Sequence, residues 1–138
     1  MNKKRWVLAS LAVFVAVMVL EFIFNNYCLK AAYMEVAHLW RPEAEMMKLM
    51  PLYWAATFVV SFIFVYIYAK GYEGKGCGIC EGLRFGLWFG LFVNLSMVAI
   101  TYATMPITVR LARDWFVTGM TEYLIAGAVV GMIYKKNV

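Results

Sequence analysis

Residues 70–94, KGYEGKGCGICEGLRFGLWFGLFVN, decide how the rest of the chain is read. The first half is a charged, glycine-rich hairpin. The second half sets Gly82, Gly86, Gly90 and Asn94 at every fourth position of an apolar stretch. On a helix that spacing leaves one smooth face, along which a second helix can approach closely.

The composition around this stretch is that of a membrane protein. Of 138 residues, 64% are hydrophobic and only 15% charged, with a mean hydropathy of +0.73. Soluble domains carry roughly 45–50% apolar and about 25% charged residues. Four apolar runs predict spans near 6–26, 51–69, 82–105 and 115–134, each close to the roughly 20 residues that cross a bilayer. The expected fold is an all-α, integral membrane four-helix bundle, a single domain over 1–138, with an amphipathic interfacial segment over about 27–50. The basic start resembles a secretory signal, but its apolar run passes into Glu21 and two asparagines without a small-x-small exit, so it is read as a retained span.

The net charge of +5 does not point to nucleic acid, because the basic residues sit at span ends rather than on one polar face. Lys3, Lys4, Arg5, Lys70, Lys75, Arg84, Lys135 and Lys136 fall on one side. Lys30, Arg41, Lys48, Arg110 and Arg113 fall on the other. That excess places both termini in the cytoplasm.

Within the outer segment, Leu29, Tyr33, Val36 and Trp40 recur at helical spacing, predicting an amphipathic helix at the interface or a prolongation of span 1. Pro42 marks a break, a short helix follows to Met50, and Pro51 opens span 2. Pro106 ends span 3, and the short connection ITVRLARDW makes spans 3 and 4 antiparallel neighbours.

Span 4 has its own four-residue series, Gly119, Tyr123, Gly127 and Gly131. Matching the two series puts Gly86 near Gly131, Gly90 near Gly127, and Asn94 beside Tyr123. Homo-oligomer contact is the alternative use of the same stripes.

The segments KGYEGKG and EGLRFGL, with LWRPE in the outer loop and MPLYW opening span 2, resemble a family of small four-span bacterial membrane proteins to which no activity is attached. The resemblance covers nearly the whole chain and implies a bacterial inner-membrane four-helix protein. Cys77-Gly78-Ile79-Cys80 lies outside the shared pattern.

Glu21 and Glu122 are the acidic residues inside apolar spans. A mid-bilayer charge costs about 3 kcal/mol on insertion scales, so such residues turn inward and often serve function. Both fall one to two turns from the outer ends and could share a site that carries a proton or clasps a cation; alternatively each is hydrogen-bonded, Glu122 to Asn94 or Tyr123, and only fixes register. Cys77 and Cys80 form a CxxC at the start of span 3, where a helix N-terminus favours a thiolate. The loop offers no further metal ligands. A thiol oxidase fits poorly, since these thiols fall inside and Cys28 outside. His38, the single histidine, with Cys28, Met34, Met46, Met47 and Met50 is a weak candidate for a soft-metal site, methionine being more often a packing residue.

No cofactor is implied. The expected partners are the lipid bilayer and other membrane-protein chains or a second copy, with no nucleic acid. A nonenzymatic interaction subunit or scaffold is the first functional reading. A small proton, cation or solute transporter using Glu21, Asn94 and Glu122 is the second, and thiol-redox or metal chemistry the third. A cavity reaching Glu122 separates the first two: its presence favours transport, and a dry interior favours the scaffold.

Overall fold

The computed structural model describes residues 2–135; Met1 and residues 136–138, including Lys136 of the basic C-terminal cluster, lie outside the described residues. Asn2 caps the first helix, its side-chain oxygen accepting the Arg5 N–H at 3.2 Å. The helix α1 spans Lys3–Ile23. Its ladder then widens into a π turn over Phe24–Cys28, closed by a bond from the Leu29 N–H to the Phe24 carbonyl at 2.7 Å. The side-chain amides of Asn25 and Asn26 bond back to the carbonyls of Glu21 and Phe22, both at 2.8 Å, satisfying acceptors where the ladder loosens.

A short helix α2, Lys30–Glu35, and a 3₁₀ turn over Ala37–Leu39 complete the connection. The predicted stripe is present, but it faces protein. Leu29 and Val36 are buried, and Ala32, Val36, Ile107, Leu111 and Ala112 form a core cluster against which Tyr33, Trp40 and Trp115 pack. This segment is therefore a cap folded over one end of the bundle, which explains its apolar side without a lipid surface.

The third helix corrects the expected boundaries. There is no separate helix ending at Met50: α3 runs unbroken from Glu43 to Gly71 with Pro51 inside it. A proline removes one ladder bond, here to the Met47 carbonyl. Met47 is exposed, so that carbonyl is not sealed into a protein core. Pro42 as N-cap and the Glu43 and Glu45 carboxylates in the first turn stabilise the helix start upstream of the proline.

The hairpin after α3 turns through Gly74 and Gly76, whose φ values of +67° and +93° a side chain would resist. It is stapled by the Glu73 N–H donating to Glu81 at 2.7 Å and by an Arg84–Glu73 ion pair at 3.1 Å. Helix α4 follows over Gly78–Thr104 and α5 over Val109–Ile133. All four long helices are long and apolar enough to cross a membrane. The described residues contain no strand, and the architecture is an all-α four-helix bundle.

The α4–α5 seam carries the second correction. The buried residues of α4 are Gly82, Gly86, Gly90 and Asn94. Gly82, however, faces Gly127 and Gly131, Gly86 faces Tyr123 and Gly127, Gly90 faces Met120 and Tyr123, and Asn94 faces Gly119. This register is one helical turn from the expected pairing of Gly86 with Gly131, Gly90 with Gly127 and Asn94 with Tyr123. The reason is the turn. Thr108 caps α5 by accepting the Leu111 N–H at 3.1 Å, so the charged stretch after it is already helical and the connection shrinks to residues 105–108. Its centre lies between Pro106 and Ile107, and residues equidistant from that point meet.

Toward the chain termini, α1, α3 and α5 close around a second cluster that includes Val13, Phe64, Val65, Tyr68, Val130 and Tyr134. Trp6 ties α1 to α3 through its Nε1 bond to the Phe62 carbonyl at 3.3 Å and an edge-on contact with the Phe62 ring. Between this core and the cap lies the polar part of the molecule.

Candidate functional site

Glu21 lies in the last turn of α1, just before the widened turn, and that turn aims Asn25 back at it. The Asn25 amide donates to the Glu21 carboxylate at 2.7 Å, while its oxygen accepts the Tyr33 hydroxyl at 2.8 Å. The same hydroxyl accepts Nε1 of Trp115 at 3.0 Å. A continuous chain of hydrogen bonds thus runs from α5 through the cap to an acidic group in α1. At its end, Glu21 of α1 shares the walls of two cavities with Glu122 of α5.

A cavity of about 360 Å³ opens on this arrangement, lined by Glu21, Asn25, Tyr33, Asn94, Trp115 and Glu122 among others. Gly119 and Tyr123 also border it. The four intramembrane polar residues singled out in the sequence, Glu21, Asn94, Glu122 and Tyr123, are therefore brought to one place. A second cavity of about 230 Å³ lies between α1, α3 and α5 and is again bordered by Glu21, Glu122 and Tyr123, with Tyr53 and Ser61 on its far wall. A wider groove of about 790 Å³ between α1 and α3 also reaches Glu21. Glu21 borders all three spaces, and Glu122 the first two.

Asn94 is not the partner of Glu122 that the sequence suggested. It is 3% exposed, its amide donates to the Gly90 carbonyl at 3.0 Å, and its oxygen lies against Gly119. Gly119 has a specific reason to lack a side chain: a Cβ there would strike the Asn94 amide. Asn94 thus forms part of the cavity wall, held by its own helix. Burial pushes the hydroxyl of Tyr33, in the cap, up from its usual value; the Trp115 hydrogen bond opposes this and Glu21 adds to it.

The pattern of two intramembrane carboxyls located the acidic pair, but it missed Asn25, Tyr33 and Trp115 as a connected set. Asn25 was visible only as the end of a span, and Tyr33 only as one position in an apolar stripe. The only signal near Glu21 is the pair Asn25 and Asn26 one turn on; Tyr33 lies 12 residues along and Trp115 in another helix, so no local pattern joined them.

Gly82, Gly86, Gly127 and Gly131 belong to the helix seam rather than to the cavity, and Cys77 and Cys80 lie at the opposite end, both exposed. Among the described residues no group of three or more His, Cys, Asp and Glu side chains is arranged to hold a metal ion. Comparison with known family models, curated proteins and solved structures yields no match to this chain.

Proposed function

We propose that this chain is a small multi-pass carrier or channel that moves a proton or a small cation through the cavity at Glu21 and Glu122. The observation that supports this reading is that two carboxyl groups, from α1 and α5, line common cavities within the spans. Acidic groups are expensive in a bilayer, and a protein that needed only helix packing could use apolar residues there. A carboxyl pair can share a proton and exchange it for a cation, which is the coupling chemistry such a pathway needs. The Trp115–Tyr33–Asn25 chain gives the pair a polar connection toward the cap end.

In this reading the membrane is the bacterial inner membrane, with both termini and the 72–77 hairpin in the cytoplasm and the cap outside. The family resemblance supports the first point, and the excess of basic residues at the terminal end supports the second. The alternative of an interaction subunit or homo-oligomeric scaffold draws on α3, whose first half is almost wholly exposed along residues 43–60.

The test is reconstitution of the full chain into liposomes carrying an internal pH indicator. An imposed pH or potassium gradient should drive proton or cation flux above that of empty liposomes. Glu21→Gln and Glu122→Gln should each abolish it while keeping the helical content. Absence of wild-type flux for protons and monovalent cations alike would transfer the assignment to the interaction subunit.

A further inference from the structure

The end of the bundle away from the carboxyl pair carries a different chemistry. Gly74 and Gly76 turn the chain so that Cys77 arrives as the N-cap of α4, and its Sγ accepts the Cys80 N–H at 3.3 Å. Cys80 stands one turn along the same helix start, so both thiols belong to the N-terminal end of α4. Both cysteines are exposed. Arg84 is engaged with Glu73, so the groups that favour a thiolate at Cys77 are the Cys80 side chain and the N–H groups of the helix start that point at its sulfur. These contacts lower the Cys77 thiol from its ordinary value, the Cys80 thiol first and its backbone N–H next. Cys28, the remaining cysteine, is also exposed but lies in the π turn near the cap.

We propose that Cys77 and Cys80 form a reversible dithiol–disulfide pair that exchanges with small disulfides of the glutathione type. The Cys77 thiolate attacks one sulfur of the small disulfide, breaking its S–S bond. The departing thiolate takes a proton from water, and a mixed disulfide remains on Cys77. Cys80 then gives its proton to solvent and attacks the Cys77 sulfur, expelling the second small thiol. The chain has lost two electrons and gained an intramolecular disulfide, and the small disulfide has been reduced to two thiols.

Cys77 is thus the attacking thiol and Cys80 the resolving one, an order set by which sulfur receives the hydrogen bonds. The three-residue spacing at one helix start, with the Cys80 N–H bonded to Cys77 Sγ, supplies the proximity that two unrelated surface cysteines lack. Gly78, inside the motif, lies against Gly131 of α5, so the new bond forms beside the last contact of the α4–α5 seam. This proposal is independent of any flux through the carboxyl cavity.

The experiment uses the full chain in detergent micelles, treated with glutathione disulfide, quenched by alkylation and read by intact mass and peptide mapping. Wild type should lose alkylation at Cys77 and Cys80 together, without retained glutathione, and recover it with dithiothreitol. Cys80→Ser should accumulate one glutathione on Cys77, about tenfold faster than on Cys28 at neutral pH. Cys77→Ser should leave Cys80 reacting no faster than Cys28. The proposal is overturned if Cys77 of the Cys80→Ser protein reacts no faster than Cys28. It is equally overturned if wild type keeps a stable glutathione adduct instead of closing the 77–80 bond. Melting curves of the two serine variants establish that their reactivity is read on a folded protein.

Discussion

Nε1 of Trp115 donates to the hydroxyl of Tyr33 at 3.0 Å, a contact between residues 82 positions apart that fastens the cap to α5. Because the hydroxyl also donates to Asn25, Tyr33→Phe removes two bonds and leaves both partners partly buried without it. The expected cost is about 1–3 kcal/mol, read as a lowered melting temperature in detergent. Glu35 and Arg110 also join cap and α5 at 2.7 Å, but both are well exposed, so Arg110→Ala should cost only about 0–1 kcal/mol.

The Tyr33 hydroxyl also gives a signed pH dependence. Its folded value is raised above the ordinary 10.0 of the unfolded chain. Below that value both states hold the proton and the cap contributes fully. As pH rises past it, the unfolded chain releases the proton first, and stability falls until the folded value is passed. A melting series through the alkaline range should show a smaller decline for Tyr33→Phe; an identical decline in both proteins would assign the effect to other groups.

The seam separates its glycines by what each one faces. A Cβ at Gly82 or Gly127 would collide with the facing backbone carbonyl, which has nowhere to go without parting the helices. At Gly90 it would meet Tyr123 Cβ at 3.0 Å and Met120 Sδ at 3.2 Å, and the methionine can yield. Gly82→Ala and Gly127→Ala should therefore lose about 1–3 kcal/mol or more, and Gly90→Ala less. Ala99→Leu, on an exposed face, is the control. Equal melting temperatures for all four variants would contradict the backbone contacts.

What could be read in advance follows from how local each feature is. The stripe Gly82, Gly86, Gly90, Asn94 was legible because a spacing of four defines a helix face wherever the helix sits, and those four residues are the buried ones of α4. The register was not, because it depends on where α5 starts. Hydropathy concealed that start behind Arg110, Arg113 and Asp114, although Thr108 is a good N-cap residue. The helix break at Pro51 failed for the converse reason: proline is a strong local signal, but here the helix continues through it. The Asn25–Tyr33–Trp115 chain was hidden because it requires the cap to fold back, which the π turn at Phe24–Cys28 arranges and no periodicity announces.

Topology is testable without knowing any substrate. If both termini face the cytoplasm, Cys77 and Lys75 in intact cells should resist membrane-impermeant maleimide and amine reagents, while Cys28 near the cap should react. Reversal of that pattern, with the membrane sealed, would invert the orientation and place the thiol pair on the opposite side.

Glu122 best separates the functional readings, because its two roles respond differently to the same substitution. Glu122→Gln keeps the shape of the side chain and can still donate or accept a hydrogen bond toward Glu21, but it cannot release a proton. Folding and helix content should stay close to wild type. Glu122→Leu gives Glu21 an apolar neighbour on the same cavity wall, and its protein should be less stable by about 1–3 kcal/mol, read as a lowered melting temperature. A scaffold would tolerate the glutamine and respond only to the leucine. A proton-coupled pathway should lose its flux with either, and with Glu21→Gln as well, since the pair works as one exchange site. The double variant Glu21→Gln/Glu122→Gln then adds nothing to the loss already caused by each single change. If the two single variants instead each retain a partial flux and the double one loses the product of both effects, the carboxyls act separately and the shared site is wrong.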